Sequence, residues 1–592
     1  MTLLTLALVS AAVLTIAYFT YGRMLSRLFE LDPNRKTPAV ALRDDVDYSP
    51  IEPKFLLSQH FSAIAAAGPI VGPILAGIMF GWLPALVWIL IGAIFIGGVH
   101  DMSSLTASIR HKARSIADVV REHMSERSFL MFLAFIWIAL VYIIVAFTDI
   151  TAASFVDDQV LPNGELVRGP AIAGSSLLYL LLPILMGVLL RYTKMSLNLA
   201  TLIFLPLVGL TIYAGPYLPI DLAGWFDLSD QQAHKLWDVL LLAYCLIAGV
   251  VPMWALLQPR GHLGGYFLYV ALAAGGIGLL FSGLPIQYPA FTGWHVTVAG
   301  KTQSLFPMLF ITIACGACSG FHALIASGTT SKQLKLETDA RPIGYGAMLL
   351  EGMVAVISLS CVMIAAQGSN TLGKGPNAVY AQGIGNFLQV IGIPIELAVA
   401  FALMAFTTFV YDTLDVCTRL GRYIIQELTG WHDAKGKWLG TALTAGVPIF
   451  FVMQETIGPD GQPLVGADGK PVPIWATFWP LFGASNQLLA ALTLLGVTVW
   501  LWRTRRARWV WAVTGIPTVW MYTMSTWALI AMTWPKFQAE GGSFQLTADP
   551  VAWAGVVLVA LAAMMLVEAI RVIVGSSTPP RAQEALAAQP AG

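Results

Sequence analysis

Residues 59–77 read QHFSAIAAAGPIVGPILAG. The stretch is apolar enough for a membrane helix, yet two Gly-Pro pairs, Gly68-Pro69 and Gly72-Pro73, stand in its middle. Each proline lacks a backbone donor and disfavours helix at the residue before it. Together they predict an unwound segment, which a bilayer tolerates only where protein or a cavity covers it. A second half-helix beginning near Pro73 would aim free amides and a positive dipole end into the protein. That geometry suits an anionic group and recurs in secondary transporters.

The rest of the chain agrees with a membrane setting. Of 592 residues, 57% are hydrophobic and only 11% are charged. Soluble domains carry about 25% charged residues, so this chain has too few to cover several soluble domains. The net charge is zero, which gives no bulk attraction to nucleic acid. The five cysteines all lie in or beside apolar stretches, an odd count that argues against a disulfide framework. Cys315 and Cys318 read as small packing residues, with no other soft ligand beside them.

A bilayer core asks for about 20 apolar residues per helix, and the sequence offers about fifteen such spans. They include 58–80, 236–257, 305–328, 386–411 and the short 438–454. The first is expected from Leu3, without the basic region of a cleaved signal. With the N-terminus outside, the only Lys and Arg on outer segments are Arg168, Lys235, Lys301, Lys374, Lys470 and Lys536, of 33 in all. The others, Arg260 among them, fall to cytoplasmic segments, as the positive-inside rule requires. An odd number of helices follows, with a periplasmic N-terminus and a cytoplasmic C-terminus in an inner membrane.

The span YCLIAGVVPMWALLQPRGHLGG (244–265) is interrupted by Gly249 and Pro252. It lies five helices after the Gly-Pro span, which is the spacing of paired broken helices in a five-plus-five inverted repeat. The fold expected is an all-α polytopic membrane protein with a LeuT-like repeat core and additional helices. Residues 1–57 hold the first helix and a cytoplasmic loop. Repeats of five helices follow at 58–216 and 236–430, with additional helices at 431–575 and a Pro/Ala/Gln-rich disordered tail at 576–592.

Polar side chains inside such helices are functional candidates, because burying them is costly. His60, His100, Asp101, His322 and Glu351 are candidates for carrying a coupled proton. Gly68, Pro69, Gly72, Pro73, Ser319, His322, Asn486 and Gln487 are candidates for binding substrate. Ser319 and His322 are read as one face of a helix. Asp149, Glu396, Asp412 and Glu568 read as helix-end caps. No HExxH, GxSxG or Walker A motif occurs, so neither an enzyme, a metal centre, a cofactor nor ATP-driven transport is expected. A membrane nutrient sensor is the alternative, although no soluble output domain is visible.

Six stretches carry a resemblance that spans nearly the whole chain. They are HFSAIAAAGPIVGPILA (60–76), GGVHDMSSLTASIRHKARSIADVV (97–120), LLQPRGHLGGY (256–266), SGFHALIASGTTSKQL (319–334), DTLDVCTRLGRYIIQEL (412–428) and WPLFGASNQLLAALTLL (479–495). In these the chain resembles the carbon starvation CstA family. The resemblance implies a peptide or pyruvate carrier serving carbon starvation, coupled to protons (or sodium). It also implies the fold of the amino acid–polyamine–organocation superfamily. The chain departs from the family pattern at Gln59, where a second His is common, and at Gly261, where Asp is common. Expected partners are membrane lipid, a small carboxylate or peptide substrate and a coupling ion, but no nucleic acid. The sequence leaves the oligomeric state open.

Overall fold

The structure, a computed structural model, describes residues 2–44, 48–65, 67–161, 163–298, 301–456, 463–465, 471–538, 543–547 and 549–575. The expected tail and most of the 457–471 loop lie outside them. Among the described residues, eleven helices are long and apolar enough to cross a membrane, and a bent pair adds a twelfth. The protein is therefore a multi-pass membrane protein. Helices dominate because each satisfies its own backbone groups where water is absent.

The elements in chain order are α1 (Leu3–Leu28), α2 (Pro53–Ile64), α3 (Gly68–Phe80), α4 (Trp82–Arg110), α5 (Ile116–His123) and α6 (Glu126–Val156). Next come α7 (Gly169–Tyr192), α8 (Leu197–Tyr217), α9 (Asp230–Val250), α10 (Leu257–Phe281), α11 (Leu305–Thr312) and α12 (Phe321–Gly328). The series ends with α13 (Glu337–Met363), α14 (Pro376–Val390), α15 (Ile395–Thr429), α16 (Ala434–Val452), α17 (Ile474–Arg505), α18 (Ile516–Thr533) and α19 (Pro550–Gly575). Burial sorts them by depth. The apolar window of α17 is wholly buried and that of α15 is 89% buried, whereas α19, α8 and α1 bury 22%, 28% and 33%. The first two are the core, and the last three form the periphery.

The Gly-Pro span does break, with a bend of 46° between α2 and α3. The helix resumes at Gly68 with a proline in its first turn, so Pro69 takes the place expected of Pro73, and Pro73 lies inside α3. A Cβ on Gly68 would come within 2.3 Å of Cys315, and one on Gly72 within 2.5 Å of the Thr312 carbonyl. Those glycines let α3 lie directly on the segment 313–320, which is itself unwound between α11 and α12.

The structure corrects the sequence reading at two places. Ser319 lies in the unwound segment and His322 in α12, so they do not share one continuous helix. The 236–257 span is not broken in its middle either. Its helix ends at Val250, and Gly249 and Pro252 mark that end. Arg419 donates to the Ala248 and Val251 carbonyls at 3.0 and 2.6 Å, and Arg422 to Gly249 at 2.7 Å. Cations thus satisfy the orphan carbonyls of this helix end.

The expected span 386–411 also divides. Helix α14 ends at Val390, Gly392 takes a positive φ of 88°, and α15 begins at Ile395. With 15 residues, α14 is about 22 Å long, short of a hydrocarbon core of about 30 Å. Asn377 near its start bonds Ser154 at 2.9 Å, and Glu396 just past its end bonds Asn163 at 2.9 Å. Both ends of α14 therefore sit at the C-terminal end of α6.

Loops assigned to one face by charge do meet. Arg35 and Arg110 share Glu337 at 3.0 and 2.9 Å, and Arg505 reaches Glu30 at 2.6 Å. On the opposite face Gln231 bonds Glu455 at 2.9 Å. Two π-helical turns, Ala93–Gly97 in α4 and Arg341–Gly346 in α13, face each other. The Tyr345 hydroxyl donates to the Ile94 carbonyl at 3.3 Å. Such turns re-aim the side chains beyond them and are frequent at functional sites.

Candidate functional site

Just past the π turn of α4 come His100 and Asp101, both fully buried. His100 Nδ1 is 2.7 Å from Asp101 Oδ1. On the other oxygen, Asp101 Oδ2 is 2.8 Å from His322 Nδ1, carried by the first turn of α12. His322 Nε2 lies 3.3 Å from Glu351 of α13, close enough for an ion pair but not aligned as a hydrogen bond. Four residues from three helices thus form one chain, and both Glu351 oxygens lack a hydrogen-bond partner. A buried carboxylate without a partner needs a proton or a nearby cation. The fifth proton candidate, His60 on α2, bonds Thr330 at 2.8 Å and feels Asp101 and His322 through space.

Asn486 and Gln487, candidates for binding substrate, bond to the protein itself. Both are on α17 and both hold the broken span together. Gln487 Nε2 donates to the Phe310 carbonyl at the end of α11 at 2.5 Å. The Phe321 amide at the start of α12 donates to Asn486 Oδ1 at 3.0 Å, and the Gly320 amide to the Asn486 carbonyl at 3.1 Å. Asn486 Nδ2 donates to Ser319 Oγ at 3.0 Å. Two adjacent amides therefore serve the orphan groups of two half-helices. Ser319, Asn486, Gln487 and the packed Gly68 and Gly72 shape the break and are bonded to or packed on protein, with only Gln487 Oε1 among their side-chain polar atoms left without a partner.

A second polar centre was hidden by the sequence reading. Arg260, counted there among cytoplasmic loop charges, lies in the first turns of α10 with 0% exposure. Its Nη1 donates to Asp415 and to the Tyr244 hydroxyl, and Tyr244 donates to Asp415 at 2.9 Å. Asp412, read above as a helix-end cap, and Asp415 are buried inside the 35-residue α15. Ser62 of α2 donates to Asp412. The signal missed was PRGH against DTLD, a cation and two acids in apolar surroundings.

Between the two centres lies a cavity of about 40 Å³, lined by Gln59, His60, Met253, Gly261, Thr330 and Asp412 among others. It has room for a few waters at most. Both positions where the sequence departs from the family pattern, Gln59 and Gly261, face it.

The family model described as carbon starvation protein CstA matches residues 2–371 and 365–528. The peptide transporter CstA of Campylobacter jejuni is 30% identical, covering 90% of this chain and 80% of that protein. The peptide transporter CstA of Escherichia coli is 31% identical over 88% and 79%. The pyruvate/proton symporter BtsT of Escherichia coli is 29% identical over 89% and 81%. A manganese transporter of Eremococcus coleocola aligns over 90% of this chain and 98% of its own, at 15% identity and a TM-score of 0.44. With a family model and relatives that both run through nearly the whole chain, the protein belongs to the carbon starvation CstA family.

Proposed function

We propose that the protein is a secondary active transporter that imports a small carboxylate-bearing nutrient, pyruvate or a peptide, together with protons. The observation that carries this reading is the buried chain His100–Asp101–His322–Glu351, with His60 beside it. Titratable groups within reach of one another inside membrane helices are what a proton relay needs. The relatives named as peptide transporters and as a pyruvate/proton symporter support the same substrates. Gly68, Pro69, Gly72, Pro73, Ser319, Asn486 and Gln487 act on the substrate through the two breaks they shape. Their tight packing belongs to a closed conformation that parts on loading.

The core is a five-plus-five inverted repeat; because α9 is unbroken, we move its second half from the expected 236–430 to 305–505, take the first half at 53–217 in place of 58–216, and set the pair α9–α10 between them. Each half opens on an interrupted span, and the next helix of each carries a π turn. Adding α1, α9, α10, α18 and α19 to the ten repeat spans gives fifteen crossings, with α14 not spanning. The Lys and Arg bias places the N-terminus in the periplasm and the C-terminus in the cytoplasm. Exposed apolar side chains such as Leu8, Ile16, Leu202 and Ile570 face lipid.

The test is uptake of labelled pyruvate and dipeptides into proteoliposomes holding purified protein, with and without an inward proton gradient. Gradient-dependent accumulation of either supports the reading. Uptake of neither, by protein that is folded and inserted, removes it.

A further inference from the structure

The centre around Arg260 is rich in donors that have nothing to bond. Arg260 spends one nitrogen on Asp415 and Tyr244, while its Nε and Nη2 have no partner. The hydroxyls of Tyr179 on α7 and Tyr411 on α15 are likewise buried and unpartnered. They converge. The guanidinium carbon is 5.3 Å from the Tyr411 ring centre. One helical turn along α10 from Arg260, a Cβ on Gly264 would stand 3.4 Å from the Tyr179 hydroxyl and 3.8 Å from Asp412. Buried donors left without acceptors are costly, and more so when charged. A carboxylate is the ligand chemistry that would satisfy several at once, and a guanidinium edge binds it in two parallel bonds.

Charge decides when it can bind. Arg260 and Asp415 cancel, which leaves Asp412. The groups facing Asp412 are Ser62 and His60 from α2, Arg260 from α10, Tyr179 from α7, and Asp415 on its own helix. Ionised, Asp412 would make the centre negative and repel an incoming anion. Protonated, it would leave the centre neutral. We propose that Arg260 anchors the carboxylate of the transported substrate and that Asp412 carries the proton that enters with it. This rests on the transport reading above and deepens it. It binds the two centres into one device. His60 and Asp412 line the same cavity, so a water there bridges the proton chain of α4, α12 and α13 to the anchor of α10 and α15. With pyruvate, one anion and one proton enter together and no net charge moves, whereas a zwitterionic dipeptide with its proton carries one positive charge inward.

The experiment separates anchoring from scaffolding. Arg260→Gln alone leaves Asp415 buried and unpaired and can fail to fold for that reason. The double variant R260Q/D415N removes both charges and keeps the centre neutral. The expected result is a folded protein by size exclusion whose KM for pyruvate or dipeptide rises about 10- to 100-fold, the loss of hydrogen bonds to a charged group. Asp412→Asn mimics the protonated acid. It should keep substrate exchange across the vesicle wall, lose accumulation driven by a proton gradient, and show a KM that no longer changes with pH. A wild-type KM in R260Q/D415N would overturn the anchor. Gradient-driven accumulation by Asp412→Asn would overturn the proton role. Wild-type protein that takes up neither substrate overturns the transport reading itself, and the anchor with it.

Discussion

His322 sits between two acids, with Asp101 on one ring nitrogen and Glu351 near the other. An imidazole so placed can pass a proton from one carboxylate to the other. His322→Gln keeps a polar group of similar reach but cannot carry charge. Its uptake should lose dependence on the proton gradient while exchange at equal pH continues, as measured in proteoliposomes. Intact pH-dependent uptake would move the role to His60, His100 or Glu351. A different histidine governs stability. At the C-terminal end of α4, His111 Nδ1 donates to the Ala107 carbonyl, and its Nε2 lies 2.8 Å from His123 Nε2 on α5. Burial, then His111 and Arg503, push the pKa of His123 down to about 3. The unfolded chain, near the ordinary value of about 6.5, then binds more protons than the folded one between those two values. Stability contributed by neutral His123 is present at neutral pH and is lost as pH falls below about 6.5. The melting temperature in detergent should drop more from pH 7 to pH 5 in the wild type than in His123→Gln. Equal drops would contradict this.

At the scale of elements, the two breaks have unlike origins, and this sets what the sequence could reveal. The break before α3 is written locally, in Gly68-Pro69, and was legible, although the restart moved from Pro73 to Gly68. The break between α11 and α12 contains no proline in ACGACSGF (314–321). It is imposed from outside by Asn486 and Gln487 and by close packing, since a Cβ on Gly483 would meet the Ile311 carbonyl at 2.1 Å. Periodicity within one segment cannot show a clamp supplied by another. Arg260, Asp412 and Asp415 stayed hidden for a related reason. Counting charges by loop assumes where helices stop, and α15 runs on for 35 residues. The proton candidates were legible because deep histidines and acids are rare and costly. Gln487→Ala should strip the Phe310 carbonyl of its donor and destabilise the protein by about 1–3 kcal/mol. Thermal unfolding checks this, and an unchanged midpoint would show that the clamp is dispensable. Pro69→Ala with Pro73→Ala should let α2 and α3 approach one continuous helix. Uptake should fall with insertion intact, because alanine does not make the span less apolar. Undiminished uptake would show that the bend owes nothing to the prolines.

For the whole molecule, sidedness and substrate are linked, since import requires the proton-loaded site to open outward. Glu455→Cys should be labelled from the periplasm and Arg508→Cys only after permeabilisation, in a protein whose five native cysteines are all buried. Labelling of both from one side would break the fifteen-crossing arrangement. The decisive choice is then between one site and two. Pyruvate and a peptide share a terminal carboxylate but differ greatly in bulk. Around the cavity of about 40 Å³ the walls come from α2, α10, α12 and α15, four separate elements that can part by different amounts. A common anchor with a variable gap predicts mutual competition, with excess pyruvate raising the KM for dipeptide uptake and leaving its maximal rate unchanged. It also predicts that amides of either acid compete poorly, because a neutral amide forgoes the ion pair and the two parallel bonds that a carboxylate makes with a guanidinium. Pyruvate that lowered the maximal rate without changing KM would place it at a second site. An amide that competed as well as its acid would show that recognition does not run through the carboxylate at all.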